Sequence, residues 1–207
     1  MIHLFSAKIS DSFTKSTAQK VLHALPLAKQ QALAKIKLEN AFTSSLAGYA
    51  LLQEALQRLG KENPALADII FPKQGKPFFP QGPDFNISHA HDRVVCAIST
   101  DVQVGIDIEK VAPLNNYQLK NYFNEEELAY IHQDKLRFYE VWTKKEAILK
   151  AAGNPGLTQA REIKFYGLYA VFMQIKWHLY AFDWDNYRIA VASSQEQEVE
   201  WTKDTLI

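Results

Sequence analysis

The sequence predicts an α+β fold in which helices precede an antiparallel meander in both halves of the chain, in place of an alternating parallel plan. Three observations carry that prediction. A long amphipathic pattern runs from about Ala41 to Leu59, with Leu46, Tyr49, Ala50, Leu52, Leu56 and Leu59 near helical spacing and Gly60 behind it as a stop. Strand-like runs follow at about 84–87, 94–99 and 104–108. Beyond them, two helical patterns at about 119–132 and 137–152 lead into further strand-like runs at about 163–166, 177–182 and 187–192.

The remaining stretches fit around these elements. The chain opens on a short apolar strand, Val21–Leu25 precedes Pro26, and a Lys- and Ala-rich helical stretch covers about 28–37. A Pro- and Gly-rich connector occupies 71–83, and Gly153-Asn154-Pro155-Gly156 ends the last helix. The acidic stretch 195–200 reads as a solvated end or edge.

With 207 residues, 47% of them hydrophobic, the chain can bury the core of one large domain or of two small ones packed together. Lys plus Arg and Asp plus Glu both total 23, so nothing in the balance points to a nucleic-acid partner, and charge must act through local clusters. Cys96, the single cysteine, lies in an apolar run and reads as a buried hydrophobe in a reducing compartment. Met1–Lys8 lacks the pattern of a signal peptide, and no run approaches the ~20 apolar residues of a membrane span. A soluble, cytoplasmic protein with no membrane partner is expected.

Four short stretches can carry chemistry. In Val104-Gly105-Ile106-Asp107-Ile108-Glu109, apolar and acidic residues alternate, so a strand puts Ile106 and Ile108 on one face and Asp107 and Glu109 on the other. Adjacent carboxylates repel. A solvated strand face accounts for the pair; a divalent cation such as Mg²⁺, which takes one or two carboxylates together with phosphate and water oxygens, is the sharper alternative. Further on, a helix over 138–150 sets Trp142, Glu146 and Lys150 on one face at intervals of four. Glu146 and Lys150 then form an exposed ion pair, or Glu146 adds a third carboxylate while Lys145 and Lys150 meet phosphates. In Phe85-Asn86-Ile87-Ser88-His89-Ala90-His91, Asn86 and Ser88 share a face, and a hydroxyl and an imidazole at a strand end suit a phosphate. The two histidines have no third His or Cys at zinc spacing. Gly75-Lys76-Pro77, taken alone, is a turn with a lysine.

These stretches occur in the order Gly-Lys-Pro, Phe-Asn-Ile-Ser-His, Gly-Ile-Asp-Ile-Glu and Trp-Thr-x-Lys-Glu followed by Lys150. As an ordered set spanning about 29–156, they resemble the 4′-phosphopantetheinyl transferase superfamily, specifically its larger surfactin-synthetase-activating type. The resemblance implies two similar α+β halves, 1–103 and 104–207, packed as a pseudo-dimer within a monomer, with the active site between them. It implies a Mg²⁺-dependent enzyme that moves the phosphopantetheine arm of coenzyme A to a serine of an apo acyl carrier or peptidyl carrier protein, releasing 3′,5′-ADP. By match to the motifs, Asp107, Glu109 and Glu146 are expected as metal ligands. Lys29, Lys76, Pro77, Ser88, His89, Asp107, Glu146 and Lys150 are expected at the coenzyme. Glu127, Glu109 and Lys150 are expected as catalytic groups, with Glu127 or a metal-bound water held by Glu109 as the base acting on the carrier serine. Taken alone, Glu125, Glu126 and Glu127 read as an exposed acidic helix start.

The chain departs from the family pattern at Ala32 and Ser44, which stand where a lysine and an arginine are common; either Lys35 or Lys37 compensates, or coenzyme A binds more weakly. Ala90 and Ala147 replace serines. Leu149, Ala151, Ala152 and Leu157 read either as apolar contacts for the carrier or as helix-core packing. The rival readings are a non-catalytic homologue that binds coenzyme A or a carrier, and another Mg²⁺-dependent phosphate-transfer enzyme.

Overall fold

The computed structural model describes residues 1–10, 13–60, 64–114, 121–205 and 207. In chain order the first elements are β1 (Ile2–Lys8), α1 (Lys15–Ala24), α2 (Leu27–Leu33), α3 (Glu39–Leu59), β2 (Asp84–Ala90), β3 (Arg93–Ser99) and β4 (Val104–Lys110). They are followed by α4 (Glu125–Ile131), α5 (Lys135–Ala151), β5 (Lys164–Tyr166), β6 (Tyr169–Phe172), β7 (Ile175–Trp184), β8 (Tyr187–Ser193) and β9 (Val199–Thr202). The strands form two sheets, ordered β2-β3-β1-β9 and β4-β8-β7-β6-β5. Every pairing is antiparallel except that of β1 with β9. The class is α+β, as expected.

Hydrophobic burial stacks these elements in four layers. Leu46, Leu51 and Leu52 of α3 meet Phe85 and Cys96 on one face of the first sheet. Its other face packs Leu4 and Val95 against Val104, Ile106, Ile108, Ile189 and Val191 of the second sheet. Ala147, Ile148 and Ala151 of α5 close the far side over Trp177 and Ala190. Each buried Leu, Ile or Val adds about 1.5–3 kcal/mol relative to an exposed one. Burial pushes the Cys96 thiol above its usual range, which leaves it an unreactive core group.

The strand-like runs and the long helix lie where the sequence places them, with differences at the ends. Asn124 caps α4 through its side chain and forms a capping box with Glu127, so that helix starts at Glu125; Leu119 and Lys120 of the expected helix fall outside the described residues. Two strands come in addition. The β6–β7 connection is a two-residue turn with Met173 and Gln174 both at positive φ (50° and 63°). At the end of the acidic stretch, β9 returns to line the edge of the first sheet beside β1. Among the described residues, no helix is long and apolar enough to cross a membrane.

One glycine decides how closely α5 lies on β4. A Cβ at Gly105 would sit 2.1 Å from Ala147 O and 2.4 Å from Ala151 N, both backbone atoms that cannot turn aside. A Gly105→Ala variant is therefore expected to lose about 3 kcal/mol of stability or more in urea unfolding, because the helix must lift off the strand. Wild-type stability would contradict the close packing.

Candidate active site

Alternation along β4 aims Gly105, Asp107 and Glu109 at α5 while Val104, Ile106 and Ile108 enter the core between the sheets. Two residues past the glycine contact, Asp107 meets the helix. It is 4% exposed, and its Oδ1 accepts from Lys150 Nζ at 2.6 Å and from Ser88 Oγ at 2.9 Å. Lys150 Nζ also donates to Ser88 Oγ at 3.1 Å, which closes a triangle across β2, β4 and α5. Another two residues along, Glu109 Oε1 accepts from the indole of Trp142 at 3.3 Å. Lys150 thus turns to Asp107, not into an exposed pair with Glu146.

The cluster has more negative charge than its own lysine satisfies. Burial, then the charge of Asp107, pushes Glu109 up to about 7, against the opposing pull of Trp142 and Lys150. Burial and Asp107 raise Glu146 as well. Among the described residues, Asp107 Oδ2 is buried with no hydrogen-bond partner. Two strained carboxyls and an orphaned carboxylate oxygen are a hard-oxygen donor set that fits a divalent cation. Among the described residues, no three His, Cys, Asp or Glu side chains already close around one point. A cation held here would complete its shell with oxygens of a bound ligand.

Protonation of these glutamates favours the folded state, since each keeps its proton to higher pH when folded than when unfolded. For Glu109 that contribution is fully present below the ordinary value of 4.5 and is lost as the pH rises through about 7. Thermal melts of the free protein are expected to decline between about pH 5 and 7.5, and Glu109→Gln to flatten the decline. An equal slope in the variant would contradict the placement.

The other expected site residues are distributed less simply. Lys76 pairs with Asp84 and donates to Val104 O at 2.8 Å, which occupies two of its three ammonium donors; Pro77 follows it, half-buried. Lys29 lies over the rings of Tyr49 (5.5 Å) and Phe71 (5.0 Å), and burial lowers its pKa. His89 is at the exposed end of β2, held below its usual value by partial burial of the ring and then by Lys150. Ala32 is exposed on α2, Ser44 is buried in α3, and Lys35 and Lys37 are exposed between those helices.

Glu127 stands apart from the cluster in its contacts. Its Oε2 accepts from Asn124 N at 2.8 Å, and its Oε1 pairs with Lys145 Nζ at 2.7 Å. Lys145 is fully buried, donates to Ala160 O at 2.7 Å and lies between the rings of Phe123 and Phe165. It therefore meets no phosphate, contrary to the expectation for the Lys-Lys-Glu stretch. Leu149 and Ala151 are each 2% exposed and belong to the core, whereas Leu157 stands 41% exposed. Leu149 and Leu157 border a cleft of about 810 Å³ whose wall includes Glu146, Gly75 and Asn154. The contact of Trp142 with Glu109 was not anticipated; only the i, i+4 spacing of Trp142 and Glu146 hints at it.

What fold and cluster define is a two-sheet α+β protein with carboxylates and a lysine gathered where the sheets meet, a donor set for a cation and phosphate oxygens. Residues 103–192, from the start of β4 to near the end of β8, match the model of the 4′-phosphopantetheinyl transferase superfamily. Over 162 residues, 74% of this chain, it is 32% identical to the 4′-phosphopantetheinyl transferase gsp of Aneurinibacillus migulanus. It is 38% identical over 117 residues, 52% of the chain, to the 4′-phosphopantetheinyl transferase AcpT of Escherichia coli strain K12. With the 4′-phosphopantetheinyl transferase Sfp of Bacillus subtilis strain 168 it shares 38% identity over 96 residues, 42% of the chain. The matched parts span 66%, 56% and 42% of these three relatives' own lengths. The chain belongs to the 4′-phosphopantetheinyl transferase superfamily.

Proposed function

We propose that this chain is a Mg²⁺-dependent 4′-phosphopantetheinyl transferase that takes coenzyme A and an apo acyl or peptidyl carrier protein and releases 3′,5′-ADP. The observation that carries the reading is the Ser88–Asp107–Lys150 triangle with Glu109 and Glu146 beside it, built from the motifs that match the family. The names of the relatives, each a 4′-phosphopantetheinyl transferase, agree with it. We take the halves to divide near 103/104, with β9 crossing back to the first sheet, and the working unit to be a single chain.

In the reaction, the carrier serine oxygen bonds to the β-phosphorus of coenzyme A. The bond from that phosphorus to the bridging oxygen breaks, and its electron pair leaves on 3′,5′-ADP. Asp107, Glu109 and Glu146 would hold Mg²⁺, which neutralises charge on the pyrophosphate when bound. Lys150, poised between Asp107 and Ser88, turns its remaining donor capacity to a phosphate oxygen, and Ser88 and His89 contact the coenzyme. The serine proton needs a carboxylate, and we assign it to Glu109, directly or through a water that Glu109 holds. Glu109 lies in the cluster and is oriented by Trp142, whereas Glu127 caps its own helix at Asn124 N and pairs with Lys145, away from the cluster.

Chromatographic assay of coenzyme A turnover tests the proposal. 3′,5′-ADP is expected to accumulate only when an apo carrier is present, in step with the carrier modified. Coenzyme A that binds without releasing 3′,5′-ADP across several carriers would favour the non-catalytic reading.

A further inference from the structure

β2 and β4 end different sheets and run close together, yet no backbone ladder joins them among the described residues. An edge strand points every second N–H outward, and a buried N–H without an acceptor is costly. Along this seam, side chains of β2 take the place of the missing strand. Asp84 Oδ2 accepts from Val104 N at 2.7 Å, and Asn86 Oδ1 accepts from Ile106 N at 2.9 Å. The next alternate residue, Ser88, donates to Asp107 itself. Asp84, Asn86 and Ser88 share one face of β2, while Phe85 and Ile87 on the other face pack toward α3. Lys76 secures the first rung by pairing with Asp84 and donating to Val104 O, so both backbone groups of Val104 are held.

We infer that Asn86, with Asp84 and Lys76, is a positioning device that sets the register of β4 against β2 and so delivers Asp107 to Ser88 and Lys150. Period-two alternation explains why register matters here, since a slip of one residue would turn Asp107 into the core and Ile106 toward Lys150. Asn86 is 8% exposed and Ile106 is fully buried, so water cannot stand in for the amide oxygen. Lys76, expected at the coenzyme, also acts in this arrangement through the strand.

The kinetic side of this inference rests on the transferase reading; the structural side does not. The test is amide hydrogen exchange by NMR on the free protein, paired with steady-state kinetics, for Asn86→Leu and Asp84→Ala. Asn86→Leu is expected to speed exchange at Ile106 at least tenfold while Ile98, within β3, keeps its protection. Turnover is expected to fall at least tenfold with KM for coenzyme A changed less than threefold. Asp84→Ala, at the half-exposed end of β2, is expected to do the same at Val104 and keeps the test open if the first variant does not fold. Unchanged exchange at these amides, uniform acceleration across both sheets, or faster exchange with unaltered turnover would each overturn the inference. Selective exchange with no transfer by the wild type would support the register role and overturn the transferase reading instead.

Discussion

Asp107→Ala is expected to cut phosphopantetheine transfer at least a thousandfold, a loss of about 4 kcal/mol of transition-state stabilisation. Asp107 is where the three parts of the site meet. One oxygen binds Lys150 and Ser88, and the other is buried with no hydrogen-bond partner among the described residues. Alanine removes the proposed cation ligand and frees Lys150 to drift from its place between β2 and β4. The fold should tolerate the change, because the same substitution relieves repulsion on Glu109 and Glu146 and leaves Lys150 able to reach water. Circular dichroism and a melting temperature close to wild type would accompany the loss of transfer. Turnover within tenfold of wild type would remove Asp107 from the proposed site.

Glu127→Gln is expected to act mainly on stability. It leaves the ammonium of Lys145 fully buried without a carboxylate, and breaking a buried pair in this way costs about 3–5 kcal/mol. The double variant Glu127→Gln with Lys145→Met is expected to regain much of that loss in urea unfolding, since both charges are then gone. Per folded molecule, transfer by Glu127→Gln should stay within about tenfold of wild type. A general base contributes about 10²- to 10⁴-fold. A hundredfold loss of turnover with unchanged stability would therefore return the base to Glu127.

Local alternation and spacing foretold much of the site. Period two in β4 put Asp107 and Glu109 on one face, and intervals of four in α5 put Trp142, Glu146 and Lys150 on another; the structure brings these two faces together. What local pattern does not carry is which lysine goes inward. Lys145 and Lys150 read alike in sequence, but Lys145 points to Glu127 and Ala160 while Lys150 points to Asp107. That choice is made by the α4 capping box and the aromatic pocket of Phe123 and Phe165, which are tertiary features. Asn-x-x-Glu at 124–127 is a helix-start signal in its own right, and the capping box it forms engages Glu127 at its own helix end.

The missed strands have similar causes. Met173 and Gln174 turn the chain at positive φ without the Asn or Gly that normally marks such a hairpin, so β6 lacked a boundary. In β9, four residues are too few for a period, and their partner β1 lies at the opposite end of the chain. The side-chain rungs from Asp84 and Asn86 were equally hidden, because the strand they serve belongs to a different sheet.

The most direct measurement is intact-protein mass spectrometry of an apo acyl carrier protein after incubation with this protein, coenzyme A and Mg²⁺. The expected result is a mass gain equal to one phosphopantetheine group, abolished by EDTA, restored by added Mg²⁺ and absent with Asp107→Ala. No gain on any of several carriers, or a gain indifferent to EDTA and to Asp107, would contradict a metal-assisted transfer centred on this cluster.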